Sequence, residues 1–216
     1  MVSATDAQNV KFVQELNGKP VKIKYQKEAY FSQDLARHIY TKGYDNVGLT
    51  DFSFEIDDDG NPYWVVSMYK RTIGVTGNDV VGVLTVNPET GEIKDYSVEN
   101  APKWIDRIQP ESFISTQLNN HLSLKGGFLN SIFAKKGVLK ITSDNLSLVT
   151  GKDGQSYWYT GITSAGSDES TTGFVLVNTK TKEAKYYTQP GATEYASVKS
   201  LEGKFPEKNY TASEPI

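Results

Sequence analysis

The sequence predicts an α+β fold of two tandem units, each an antiparallel sheet meander with a helix packed on one face. Three observations predict it: the chain repeats itself, apolar residues alternate along short segments, and turn residues separate those segments. Residues 82–96, GVLTVNPETGEIKDY, align without a gap on residues 173–187, GFVLVNTKTKEAKYY. A spacing of about 90 residues is much longer than the unit of a solenoid, so it indicates a duplicated small domain.

A short strand and a helix are expected ahead of the first meander. Apolar residues alternate with lysines over 21–25, which is typical of a strand. Over 30–40 they recur every four residues, which predicts an amphipathic helix. Ser32 is suited to cap its N-terminus and Gly43 to end it. The recurring apolar residues are Phe31, Leu35 and Ile39.

Four strands of the first unit follow, separated by turns. Residues 57–61 and 87–91 contain Asp-Gly and Asn-Pro-x-Thr-Gly, in which glycine accepts the positive φ that such hairpin turns require. The alternation of apolar residues places the strands between these turns. They are expected at 49–56, 63–69, 80–86 and 92–98.

The connector and the second meander repeat this order. Residues 101–108 are expected to begin as a helix, because Pro102 suits a first turn, and 111–122 to form the opening helix of the second unit. A short apolar helix or hook is expected at 128–133. Five strands are expected at 138–142, 146–150, 157–162, 173–177 and 183–187.

Three domain segments follow from this reading. The first unit with its N-terminal extension spans 1–108, the second spans 109–190, and 191–216 begins a further connection. The stretch after Pro190 resembles the connector after the first unit, since Ala192 stands where Ala101 does and Tyr195 where Trp104 does. We therefore expect a chain cut from a longer protein.

Composition excludes several functional classes. The 216 residues, 38% of them hydrophobic, are enough for two folded cores. A net charge of −3 with scattered lysines and arginines argues against nucleic acid. The absence of cysteine excludes disulfides, thiol nucleophiles and cysteine-ligated zinc. No apolar run reaches the roughly 20 residues of a transmembrane helix, so the chain itself is expected to be soluble.

No residue pattern predicts catalysis or metal binding. The acidic stretch 57–59 resembles a calcium loop, but the position that needs a carboxylate falls on Val66, so a solvated hairpin turn is favoured. His38 and His121 lie in helical stretches without a second ligand at metal spacing. Neither a Ser–His–Asp pattern nor Gly-x-Ser-x-Gly is present. We expect no catalytic, cofactor-binding or metal-binding residues.

Two hairpin tips are candidate binding loops. They occupy the same place in the two copies, near 74–79 and 165–171. Loops on a rigid sheet often carry binding, although a plain connection is equally compatible with these sequences. The residues singled out as partner-binding are Gly74, Thr76, Asn78, Ser167, Asp168 and Glu169.

Each copy also carries adjacent aromatic residues. The pairs Tyr63–Trp64 and Tyr157–Trp158 place neighbouring rings on opposite faces of a strand. One ring of each pair is expected in the core. The other is expected either to pack under the crossing helix or to contact a partner.

The segment 86–93, VNPETGEI, after a helix and a Tyr-Trp strand, resembles the PepSY domain. The second copy departs from the motif, with Lys182 for the glycine and Ala184 for the isoleucine. Longer stretches are similar to a family of uncharacterised bacterial membrane proteins that place tandem PepSY-like units after N-terminal transmembrane helices. These stretches are 54–64, 72–74, 104–107, 127–133, 136–138, 159–164 and 190–195.

The resemblance implies two tandem PepSY-like (cystatin-like) units from the extracytoplasmic portion of a membrane-associated protein. Membrane contact would then come through segments absent from this chain. The resemblance implies no established activity and no transferable functional residue. The leading hypothesis is a non-catalytic binding or scaffold module whose exposed sheet edges or hairpin tips take a protein or peptide partner. The alternative is a PepSY-type peptidase inhibitor or regulatory domain, and a hydrolase is the least favoured reading.

Overall fold

The repeated segments fold as two antiparallel hairpins within an α+β chain. The computed structural model describes residues 8, 13–73, 76–124, 137–164 and 170–192, without the side chains of residues 73, 76 and 170. These ranges contain two α-helices and strands that pair antiparallel, so the predicted α+β class is confirmed. The chain divides into two compact units, one of residues 1–72 and 78–108 and the other of residues 73–77 and 109–216.

The sheet of the first unit has four strands in the order β3-β4-β5-β6. The alternating pattern located all four, but β4 and β5 extend further toward their shared turn than the sequence predicts. A strand continues wherever its backbone finds a partner, and apolar alternation does not register that. The strands are β3 (Gly48–Ile56), β4 (Pro62–Ile73), β5 (Thr76–Val86) and β6 (Ile93–Tyr96).

A small hairpin precedes the helix of the first unit. Its strands are β1 (Glu15–Leu16) and β2 (Lys19–Pro20). The strand predicted at 21–25 is wrong, because these residues pair with no neighbouring strand in the sheet. The N–H groups of Lys24 and Tyr25 both donate instead to the carbonyl of Pro88, at 2.8 and 2.9 Å.

The first helix, α1 (Leu35–Thr41), begins later than predicted. A 3₁₀ turn at Phe31–Gln33 comes first, and the N-cap is Asp34, whose carboxylate accepts the Arg37 N–H at 2.7 Å. The prediction of Ser32 as the cap is therefore wrong. Gly43 follows the helix at φ +97°, which confirms it as the stop.

The first sheet is covered on both faces. On one face, Leu35 and Ile39 of α1 are fully buried against strand residues that include Val66 and Leu84. On the other, Ile105 and Ile108 of the connector are fully buried with strand residues of opposite orientation. The connector therefore crosses the sheet as irregular chain, and the helix predicted at 101–108 is wrong, because burying both isoleucines outweighs the local helical signal.

The described residues of the second unit form one helix and a sheet of six strands. Strand β9 is central, with β10 on one side and both β7 and β8 on the other, while β11 and β12 pair with β10. The helix matches its predicted range closely. The elements are α2 (Glu111–Ser123), β7 (Leu139–Ile141), β8 (Ser147–Thr150), β9 (Ser156–Ser164), β10 (Ser170–Asn178), β11 (Ala184–Tyr187) and β12 (Gly191–Ala192). The helix expected at 128–133 lies outside the described residues.

The second helix packs on its sheet as the sequence predicts. Ile114 is 2% exposed and lies in one cluster with Trp158, Ile162 and Val177. Trp158 is thus the core member of its aromatic pair, and Tyr157 points elsewhere, donating a hydrogen bond to Asp153 at 2.6 Å.

The hairpins β5–β6 and β10–β11 share the same register. Val83 faces Tyr96 as Phe174 faces Tyr187, and the next three pairs also correspond. In each turn an asparagine side chain accepts two backbone N–H groups. Asn87 accepts those of Glu89 and Thr90. Asn178 accepts those of Lys180 and Thr181. The sequence repeat is therefore a structural repeat at this hairpin.

In each unit, the backbone of one residue ahead of the helix bonds both to a tryptophan side chain and to the hairpin turn. In the first unit, the Tyr25 carbonyl accepts the Trp64 indole N–H at 2.8 Å, and the Tyr25 N–H donates to the turn at Pro88. In the second unit, the Gln109 carbonyl accepts the Trp158 indole N–H at 2.8 Å, and the Gln109 N–H donates to Thr179 at 2.8 Å. Both residues lie shortly before the helix of their unit.

We predict that stability requires glycine at this turn position in the first hairpin but not in the second. Gly91 and Lys182 hold the same left-handed position, at φ +76° and +64°. A Cβ at Gly91 would come within 2.6 Å of the Tyr25 ring and 2.8 Å of His38. We expect Gly91→Ala to lower the free energy of unfolding by about 2–4 kcal/mol through strain and overpacking. Urea unfolding measures it, and the control Lys182→Gly should raise stability by up to about 1 kcal/mol. Equal losses in both variants would contradict this reading.

The indole bond of the second unit is expected to matter for stability. Trp158→Phe removes the donor to the Gln109 carbonyl inside a buried cluster and leaves a small cavity. We expect the free energy of unfolding to fall by about 2–4 kcal/mol. The matched control is Trp104→Phe, whose half-buried ring stacks on Tyr63 at 5.5 Å. Circular dichroism during urea unfolding measures both variants. An equal loss of unfolding free energy in the control would contradict the prediction.

Candidate functional site

The predicted binding loops are mostly beyond the part of the chain that can be described. Gly74, Ser167, Asp168 and Glu169 lie outside the described residues. Thr76 and Asn78 lie within strand β5, so their placement in a loop is wrong. A partner at either tip stays a prediction.

The acidic stretch at 57–61 forms the hairpin turn that its sequence predicts. One Asp57 carboxylate oxygen accepts the backbone N–H groups of Asp59 and Asn61, at 3.0 and 2.7 Å. Gly60 adopts φ +80°. Within the described ranges, no group of three histidine or acidic side chains is arranged to hold a metal ion.

A groove lies between α1 and the edge strand β6 in the first unit. It has a volume of about 460 Å³. One wall comes from the helix and the residues just after it, and the other from the turn into β6. Its lining consists of Tyr25, His38, Lys42, Tyr44, Thr90, Gly91, Glu92 and Ile93.

Two aromatic rings of the groove lining contact each other at a tilted angle. The Tyr25 and His38 ring centroids are 4.2 Å apart. The His38 Nε2 lies 2.7 Å from the Gly91 carbonyl, to which it can donate only in the tautomer that protonates this nitrogen. The histidine is thus a hydrogen-bonded helix residue, as the sequence favours. Its bond also fixes the helix against the β6 side of the groove.

The free edge of β6 runs along this groove. In the ladder with β5, the Asn87 N–H donates to Glu92, and alternate residues of an antiparallel strand face its partner. Lys94 and Tyr96 therefore bond toward β5, while the N–H and C=O groups of Ile93 and Asp95 face outward. Because no other described strand pairs with the outer side of β6, these groups are available to an added strand.

Tyr44 spans the groove to the edge strand. Its hydroxyl donates to the Asp95 carboxylate at 3.1 Å. Burial raises the pKa of Tyr44, and the hydrogen bond and negative charge of Asp95 raise it further. The phenol therefore stays neutral at physiological pH with its proton directed to Asp95, and the Lys42 side chain adds an ammonium donor to the groove lining.

The opposite edge of the same sheet is less open. In β3 the register shifts between Thr50 and Ser53, where Asp51 adopts φ +51°. The Asp51 carboxylate also holds Arg107 at 2.9 Å, and both side chains are partly buried. A bulge and a charge pair of this kind hinder the addition of another strand.

Sequence reasoning missed every residue of the groove. His38 and Gly91 are far apart in the chain, and each has an ordinary local explanation, as a helix residue and as a turn glycine. One signal was available: the second copy replaces that glycine by Lys182, which shows that the turn alone does not demand glycine.

Comparison of the chain with models of known protein families, with curated proteins and with solved structures gives no match. None of the described helices has the length and apolar character to cross a membrane.

The carboxyl group of Glu55 is expected to give stability a pH dependence. Burial raises its pKa, partly opposed by the Ser53 hydroxyl that donates to it at 2.6 Å. The folded state then holds this proton more tightly than the unfolded state. The free energy of unfolding therefore falls as pH rises from the unfolded pKa through the folded one, and stays lower above it.

Glu55→Gln removes this titration. Relative to the original chain, we expect the variant to gain stability between about pH 4 and about pH 7. Thermal unfolding at both pH values measures the gain, with Glu28→Gln at an exposed position as the control. A difference that does not change with pH would contradict the assignment.

Proposed function

We propose that the chain is a non-catalytic binding module that takes up an extended segment of a protein partner along β6. In this proposal the two units are PepSY-like and form the extracytoplasmic part of a bacterial membrane-associated protein. The observation that carries the binding mode is the groove beside a free strand edge in the first unit. The wider context rests on the resemblance of residues 86–93 and of the longer stretches.

The groove supplies what strand addition requires. Main-chain groups of an edge strand give affinity, and pockets beside the edge read alternate side chains of the added peptide. The outward groups of Ile93 and Asp95 provide the first. The contacting rings of Tyr25 and His38, with the ammonium group of Lys42, provide the pocket that reads side chains.

The short length of β6 limits what is bound. Its four residues offer two that face outward, so a bound segment would pair over a few residues only. Side chains in the groove must then contribute much of the affinity. The proposal therefore predicts short motifs with a conserved side chain that enters the groove.

The test is a peptide-display selection on the full chain, followed by amide chemical-shift mapping of a selected peptide. We expect shifts at residues 91–96 and in α1. Asp95→Pro removes an outward N–H at an edge position that tolerates proline. Asp95→Ala is the matched control, because it removes the same side chain and the Tyr44 contact but keeps the N–H.

We expect Asp95→Pro to weaken peptide binding about tenfold relative to Asp95→Ala, in line with the loss of one main-chain hydrogen bond. Isothermal titration calorimetry measures both, and circular dichroism checks that the variants fold. Equal affinities, or shifts confined to the second unit, would rule out uptake along β6.

A further inference from the structure

One continuous segment of the first unit is unlike the rest of the surface. Residues 19–42 carry six cationic side chains and two acidic ones, whereas the whole chain has a net charge of −3. All six cationic residues are exposed. They are Lys19, Lys22, Lys24, Lys27, Arg37 and Lys42.

The same segment holds the two most exposed large apolar side chains among the described residues. Tyr30 is 84% exposed and Phe31 is 80% exposed, and they are adjacent. Ile23 and Tyr40 of the segment are also exposed, at 47% and 42%. An apolar patch of this kind on a soluble unit marks an interaction surface more often than a scattered single residue does.

The aromatic pair stands at the apex of a closed loop. Gln26 forms the base of this loop, because its N–H donates to the Gln33 carbonyl and its own carbonyl accepts the Leu35 N–H. The next turn of chain, from Lys27 to Phe31, is therefore held by backbone bonds at both ends. The loop presents its aromatic side chains on a fixed support, directly before α1.

The backbone at the apex is strained. Phe31 adopts φ +56° and Glu28 adopts φ +68°, in the left-handed region that side chains other than glycine and asparagine seldom enter. Strain of this kind persists where the surroundings impose it, and it is concentrated at functional sites. Here it does not bury the ring of Phe31, which points into solvent.

We propose that this segment, residues 19–42, docks on an anionic lipid surface, with Tyr30 and Phe31 entering the interfacial region. Aromatic side chains favour the level of the lipid headgroups, and lysines near a bilayer are attracted by anionic lipids. The acidic members do not cancel the attraction, because six cations face only Glu28 and Asp34 in this segment, which leaves it a net charge of +4. This inference does not depend on peptide uptake along β6.

The outward face of α1 fits the same surface. Leu35 and Ile39 point into the core, whereas Arg37 and Tyr40 are exposed. A short helix with a buried stripe and a cationic, aromatic outer face can lie along a bilayer surface beside the inserted apex. Lipid is favoured over a protein partner because the segment joins exposed rings, which favour the headgroup level, to exposed cations on flexible stems.

The test is cosedimentation of the full chain with phosphatidylcholine vesicles, with and without phosphatidylglycerol. We expect binding to the anionic vesicles only, decreasing with added salt. Lys24→Gln with Lys27→Gln should lower the partition coefficient by roughly fivefold for each lysine removed. Tyr30→Ser with Phe31→Ser should lower it by at least about tenfold.

The matched control is Tyr186→Ser with Tyr187→Ser, an adjacent aromatic pair of the second unit that is 48% and 42% exposed. It should leave vesicle binding unchanged. Because the chain has no cysteine, Ser32→Cys takes a single environment-sensitive dye at the apex. Its emission should shift to the blue on anionic vesicles, and a dye on Lys152→Cys in the second unit should not respond.

Three results would overturn the inference. The first is no binding to anionic vesicles by a chain whose circular dichroism shows it folded. The second is an equal loss of binding in the control pair, or an unresponsive dye at residue 32. The third is vesicle binding that survives Tyr30→Ser with Phe31→Ser while self-association in sedimentation velocity is lost, which would make the apex a contact between copies.

Discussion

Both units depend on one backbone residue that is held between an indole and a turn. Its carbonyl takes the tryptophan N–H and its N–H reaches the hairpin turn, so two buried polar groups are satisfied at once. Only main-chain atoms take part in these two bonds, and in the second unit the Gln109 side chain adds a third by donating to the Lys180 carbonyl at 3.1 Å. Tyr25 and Gln109, which share nothing as side chains, therefore occupy equivalent positions, and the fold tolerates wide divergence there.

The side chain at this position is consequently free to acquire a role. In the first unit it is an aromatic ring that contacts His38 at a tilted angle, and the ring leaves no room for a Cβ at the turn residue Gly91. In the second unit that turn residue is Lys182, and the position ahead of the helix is Gln109. The groove thus follows from a divergence between copies that keep the same hairpin register.

Local physics explains which elements the sequence could predict. Strands and turns were found because period-two alternation and asparagine or glycine turn chemistry act within a few residues. The start of α1 was misplaced because Ser32 and Asp34 are both capping types, and the 3₁₀ turn decides between them. The helix predicted in the connector was wrong because Ile105 and Ile108 are buried against a sheet face whose strands are distant in the sequence. The groove joins residues that no local pattern links.

The seven residues of helix α1 face three different surroundings, and the helical spacing places each set of side chains on its own side of the helix. Leu35 and Ile39, four residues apart, lie on the core side, and His38 and Lys42, with the same spacing, lie on the groove side. Arg37 points outward. Because each pair occupies its own stripe, a change on one stripe leaves the others in place. Peptide uptake and lipid docking can therefore evolve, and be tested, independently on this one helix.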